Sequence, residues 1–259
     1  MRFQEQNRAK YSGNVLFLIL LAVALFAALS YAVTQSSRSG GNSISAEQAE
    51  LFASRIVQYA SNMEQTIQRL RLTNGCRETQ VSFNFDNNGN GNYIDSGEDY
   101  NNASSPDDLR CHVFHPNGGA MARPDFETAM FDSSLAGKTL VPLVYGTEGY
   151  TTSCVENVGT DTATNCNAAA DGNAHADLLF ILPYIRQDVC EALNKKLLGS
   201  SAIPEDASNM IYGNRFGGSF SSTAQITNVS GALSACITSD SGTRVAPGEY
   251  AYYHVLIAR

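Results

Sequence analysis

The chain has 259 residues and a formal net charge of −8 at pH 7, with 17 Lys and Arg against 25 Asp and Glu. No basic cluster follows the first apolar run, so a phosphate backbone would find nothing to neutralise it, and nucleic acid is not an expected partner. Asn, Ser, Thr and Gly dominate the polar positions, a mix that suits an exported, loop-rich β protein better than a cytosolic enzyme.

The first element is apolar. Val15 to Val33 is a run of 19 residues without a charge, and a helix needs about 20 to cross a bilayer. Arg2, Arg8 and Lys10 precede it, opposed by Glu5. That charge bias places the N-terminus in the cytoplasm and the rest of the chain outside. The expected organisation is a basic cytoplasmic leader over 1–13, a transmembrane helix over 14–34, a flexible Ser- and Gly-rich linker over 35–44 and an exported domain over 45–259. A plain uncleaved anchor accounts for the same run. So does a cleaved secretory signal, with small residues near Ala28, Ser30 and Ala32.

A short basic leader ending in Gly13, followed by a long apolar helix, resembles the N-terminus of type IV pilins and pseudopilins. In that family a peptidase cuts after the glycine, so the resemblance implies processing between Gly13 and Asn14. Asn14 stands where most members carry Phe or Met, and Leu18 where most carry Glu. Minor pseudopilins located at the tip are similar to this chain in lacking that Glu. The resemblance implies a single-pass protein of the bacterial inner membrane whose partners are the membrane and other pilin-like subunits, met through the apolar helix.

The next element is "SAEQAELFASRIVQYASNMEQTIQRLRLTNG". Ser45 with Gln48 fits a capping box. Ala49, Phe52, Ile56, Tyr59, Met63, Ile67 and Leu70 recur at helical spacing and form one stripe, and Gly75 is a left-handed stop. "TQVSFNF" alternates Val81, Phe83 and Phe85 with polar residues, as a half-buried strand does. Further strands are expected in "LRCHVFH", "KTLVPLVYG", "ADLLFILPY", "TAQITNV" and "EYAYYHVLIAR". In the last, Tyr252 and Tyr253 must take opposite faces. A second helix fits Ile185–Leu198, with Lys195 and Lys196 at its C-terminal end and Gly199 as its stop. The expected fold class is therefore α+β: the transmembrane helix, then an amphipathic helix packed on a mainly antiparallel sheet, stapled by disulfides.

Cys76, Cys111, Cys154, Cys166, Cys190 and Cys236 all follow the apolar run. An even count outside a membrane suggests three disulfides in an oxidising compartment. About 15 pairings are open, and Cys154 with Cys166 is the natural local pair.

The sharpest chemical motif is "DNNGNGNYIDSGED". Asp86, Asn88 and Asn90 alternate, and Gly91 follows them. With Asn92, Asp95 and Glu98 they make a candidate oxygen set for calcium, a cation that takes six to eight such ligands. The start resembles an EF-hand or dockerin-type loop. The twelfth position is Gly97, and Glu98 comes one residue late. An Asn-Gly hairpin turn is the alternative. His112 and His115 form an HxxH pair, read as ordinary surface or turn residues rather than a zinc site. No GxSxG, P-loop or dinucleotide fingerprint occurs, so no catalytic residue, enzyme activity or small-molecule substrate is expected.

The functional expectation is a membrane-anchored, exported pilin-like protein, a minor initiating or tip subunit of a type IV pilus or secretion pseudopilus, with a structural calcium ion. The rivals are a single-pass anchored periplasmic or surface binding or adhesion module and, more remotely, an anchored hydrolase.

Overall fold

The computed structural model describes residues 17–27, 44–86, 100–140, 143–144, 146–159, 175–208, 212–213, 215–240 and 245–259. They belong to two units, Met1–Ser43 and Ile44–Arg259.

In the first unit, α1 covers 17–27. Its large side chains, from Phe17 to Phe26, are all exposed, Leu21 least at 47% and Phe26 most at 74%. This corrects the transmembrane helix expected over 14–34. Among the described residues no helix is long and apolar enough to cross a membrane. Residues 14–16 and 28–34 lie outside the described residues.

The second unit opens with α2, Ala46–Thr73. Gln48 N–H donates to Ser45 Oγ at 3.2 Å, and Ser45 N–H donates to Gln48 Oε1 at 3.4 Å. This reciprocal pair satisfies two of the donors that a helix start leaves free. Ala49, Phe52, Ala53, Ile56, Ala60, Met63, Ile67 and Leu70 form the buried face. Asn74 and Cys76 both return their N–H groups to the Leu70 carbonyl, which Gly75 permits by taking φ 67°.

The sheet corrects the expected fold class. Its strands are β3 (Gly149–Val155), β4 (Asp177–Ile185), β5 (Glu205–Asp206), β6 (Gln225–Ile226), β7 (Ser234–Ser239) and β8 (Tyr250–Ile257). Their order is β5-β7-β8-β4-β3-β6. The inner pairs are antiparallel, but β5 runs parallel to β7 and β6 parallel to β3. A separate two-stranded ribbon pairs β1 (Thr139–Leu140) with β2 (Leu143–Val144). In place of a mainly antiparallel plate with one covered face, the protein has a mixed sheet curled almost into a barrel.

The reason lies in β4, DLLFILPYI, which is buried at every position. Leu178, Phe180 and Leu182 pack with Tyr252 and Leu256 of β8 in the core beneath α2 and α3 (Gln187–Leu198). Leu179 and Ile181 point the other way, joining Ala251, Tyr253 and Val255 in a second core with Ile226 and Ile237. Successive strand residues alternate faces, so a continuous apolar strand requires two cores. The sheet supplies the second by wrapping on itself.

Polar side chains complete the wrap. β5 and β6 are the two edges, and Asp206 of β5 joins them. Its carboxylate accepts from Thr227 N–H at 2.7 Å and Thr227 Oγ1 at 2.8 Å, beside β6, and from Ser208 N–H at 3.1 Å. The Ser208 hydroxyl also donates to this carboxylate. Asn228 Nδ2 donates to the Glu205 carbonyl at 2.9 Å. On the helix side, Cys190 of α3 is disulfide-bonded to Cys236 of β7. The Asn194 amide there donates to the Cys236 carbonyl and accepts from its N–H, both at 2.8 Å. Cys76 and Cys111 form a second bridge, behind the end of α2. Cys154 is disulfide-bonded as well, and Cys166 lies outside the described residues.

Replacing Asp206 by Ala strands these donors at the seam and should cost about 2–4 kcal/mol. Urea unfolding with the disulfides intact measures this; a loss below about 0.5 kcal/mol would show that the seam does not close the sheet.

Candidate functional site

Of the calcium-loop residues, Asp86 is described, partly buried and engaged within the chain. Asn88, Asn90, Asn92, Asp95 and Glu98 lie outside the described residues, as do Gly13 and Asn14. The two ends of the loop are described, and one aromatic floor holds both. Phe83 stacks on Tyr150 with ring centroids 4.1 Å apart. Phe85 meets Phe114 edge-on at 6.3 Å. At the far end Tyr100 packs edge-on against Tyr150 at 5.3 Å, and its hydroxyl accepts from Tyr150 N–H at 3.3 Å. Asn102 then donates to the Thr79 and Val81 carbonyls at 2.9 and 2.8 Å. The chain therefore leaves and re-enters the same part of the core. A binding loop needs such a base, because ligands are held precisely only when the ends of the loop are.

An ion pair with one buried partner lies beside this base. The Glu148 side chain is 3% exposed, and its Oε1 accepts from Arg123 Nε at 3.1 Å and NH2 at 2.9 Å. The guanidinium sits 3.7 Å from the Phe85 ring centroid. Glu148 thus cancels the positive charge that Arg123 brings next to a candidate cation loop. Neither residue was singled out in the sequence. Each is a lone charge in an unremarkable segment, and only the fold brings them together.

Among the described residues no group of three or more His, Cys, Asp and Glu side chains is placed to hold a metal ion. His112 is buried, its backbone bridging to Ser82. Burial, with His115 nearby, pushes its imidazole down to about 4. His115 lies in the following turn and accepts from Asn117 N–H at 3.1 Å. His254, on β8, faces α2, and its Nε2 lies 3.0 Å from Glu64 Oε2. Burial lowers its pKa, and Glu64 opposes the shift. This pair holds a helix to a strand.

No protein-family model, curated protein or solved structure matches the chain.

The buried His112 makes stability depend on pH. Its pKa is about 4 when folded against an ordinary 6.5, so between those values the unfolded chain binds the extra proton. Stability is full above pH 6.5 and falls on acidification toward pH 4, by about 2–3 kcal/mol for this group. Urea unfolding at pH 7 and pH 4.5 should show a smaller acid loss in His112→Gln than in the wild type; equal losses would contradict this assignment.

Proposed function

We propose that the chain is an exported protein of the bacterial inner membrane. Its apolar N-terminal segment holds it there, and it serves as a minor, initiating or tip subunit of a pilin-like filament or secretion pseudopilus. The carrying observation is α1, whose large side chains are all apolar and all exposed. A helix apolar on every side needs lipid or other helices around it. The disulfides of the second unit support export, since such bridges persist in oxidising compartments. No catalytic role is proposed. Leu18 in place of the usual Glu removes the charge that pairs neighbouring subunits, which favours a low-copy position over a repeating one.

The mixed, nearly closed sheet favours a second reading. It differs from the architecture that the pilin resemblance implied, and it suits an anchored binding or adhesion module on the same apolar segment. N-terminal peptide mass spectrometry of membrane-extracted protein separates the two. The filament reading expects a chain starting at Asn14, and a retained Met1 would leave only the anchored module.

Calcium belongs to this proposal as a structural ion in the 86–99 loop, with Asp86, Asn88, Asn90, Asn92, Asp95 and Glu98 as the oxygen set. Calcium at about 100 times its Kd should stabilise the chain by about 2.7 kcal/mol. The rise in Tm should vanish with EDTA and in Asp95→Ala; an equal rise with magnesium, or none with calcium, would remove the ion from the account.

A further inference from the structure

Two adjoining clefts, each of about 580 Å³, run along the outer side of the second half of α2. The first is lined by Gln68, Arg71, Leu72, Arg77, Glu78 and Arg259. The second shares Gln68 and Leu72 and continues to Glu64 and Arg69. Leu72, where they meet, is 85% exposed.

The first cleft sets three guanidinium groups against one side-chain carboxylate in a chain whose net charge is −8. Two of the three are fixed. Arg71 NH2 donates to Glu78 Oε1 at 2.6 Å, and Arg259 Nε lies 3.5 Å from Glu78 Oε2. Arg259 is also pinned through its backbone N–H to Asp177 Oδ1 at 2.9 Å, with its guanidinium 4.3 Å from the Phe220 ring centroid. Arg77 is exposed and makes no ion pair among the described residues. Arg71 NH1 also donates to Gln68 Oε1 at 3.4 Å; a guanidinium carries five N–H donors, more than these contacts take up.

We propose that this cleft docks an extended acidic peptide segment of a partner protein. Arg71, Arg77 and Arg259 would take its carboxylates, and an apolar side chain would rest on Leu72. Glu78 already shows how a carboxylate sits between two of the guanidiniums. The second cleft, lined by one Glu and one Arg, has no such excess of positive charge, so the acidic end of the peptide belongs in the first. Ser61 to Leu72 covers about 17 Å of helix, the span of about five or six extended residues. A nucleic acid would meet no aromatic stacking platform among the lining residues, on a chain of its own charge sign.

The test uses the full chain in detergent and a dye-labelled, end-blocked peptide of about six alternating glutamates and leucines. A peptide of alternating lysines and leucines is the control. Fluorescence anisotropy should give the acidic peptide a Kd of about 10–100 μM, weakened by salt. Arg77→Gln should weaken it by about tenfold, and Arg71→Gln with Arg77→Gln by more. The Arg77 side chain makes no ion pair among the described residues, and its bonds to Gln80 run through its backbone, so its variant remains folded and the result interpretable. Four outcomes would overturn the proposal: no binding at about 1 mM, no effect of Arg77→Gln, equal binding of the lysine peptide, or displacement by a short DNA oligomer more readily than by unlabelled peptide. The docking does not rest on the filament reading; a retained Met1 would sink that reading and leave this binding unchanged.

Discussion

The pairing of β4 with β8 is the constraint on which the rest of the second unit depends. Both strands are apolar on both faces, and seven cross-strand pairs join them, from Leu178 with Ile257 to Ile185 with Tyr250. Neither strand can face water. One side is covered by α2 and α3, and the other has to be covered by the sheet itself, so β3 and β7 curl inward and carry their short parallel partners round until the edges meet at Asp206. The helix layer, the curl and the seam are three consequences of one two-sided pair.

Polar groups with specific partners then set the shape. Asp177 accepts from Val155 N–H at 3.0 Å and Arg259 N–H at 2.9 Å, tying β3 to the end of β8. Asn194 bonds the Cys236 peptide group much as a neighbouring strand would, beside the Cys190 bridge. Each places a buried polar group opposite complementary donors or acceptors, which is the condition for burying it without a large loss. These ties also serve the surfaces. Asp177 orients Arg259 over its cleft, and the Arg123–Glu148 pair keeps the base of the 86–99 loop neutral.

Local signals were legible, and long-range ones were not. The capping box at Ser45 and the stripe from Ala49 to Leu70 are written in neighbouring residues; within that stripe Tyr59 alone is only partly buried. The stop at Gly199 and the split of Tyr252 from Tyr253 are equally local. Val81, Phe83 and Phe85 are buried, but so are Ser82 and Asn84 between them, and the segment forms one isolated bridge and not a half-buried strand. β3 and β7 escaped notice because GYTTSCV and SACITS are rich in small and hydroxyl-bearing residues, and their burial follows from their place beside β4 and β8. The parallel edges, the Cys76–Cys111 and Cys190–Cys236 pairings and the Arg71–Glu78–Arg259 cluster join residues far apart in sequence. The continuous apolar run DLLFILPYI is the local clue to the second core, since an ordinary half-buried strand would alternate.

Native-state hydrogen exchange on the intact, oxidised chain tests the central role of the β4–β8 pair most directly. Amides within Leu179–Leu182 and Tyr252–Val255 should exchange most slowly, only through global unfolding, while β5, β6 and the ends of α2 open by smaller fluctuations. If the β4 and β8 amides exchanged faster than those of α2 or α3, the sheet would not be organised about this pair, and the account would be wrong at its base.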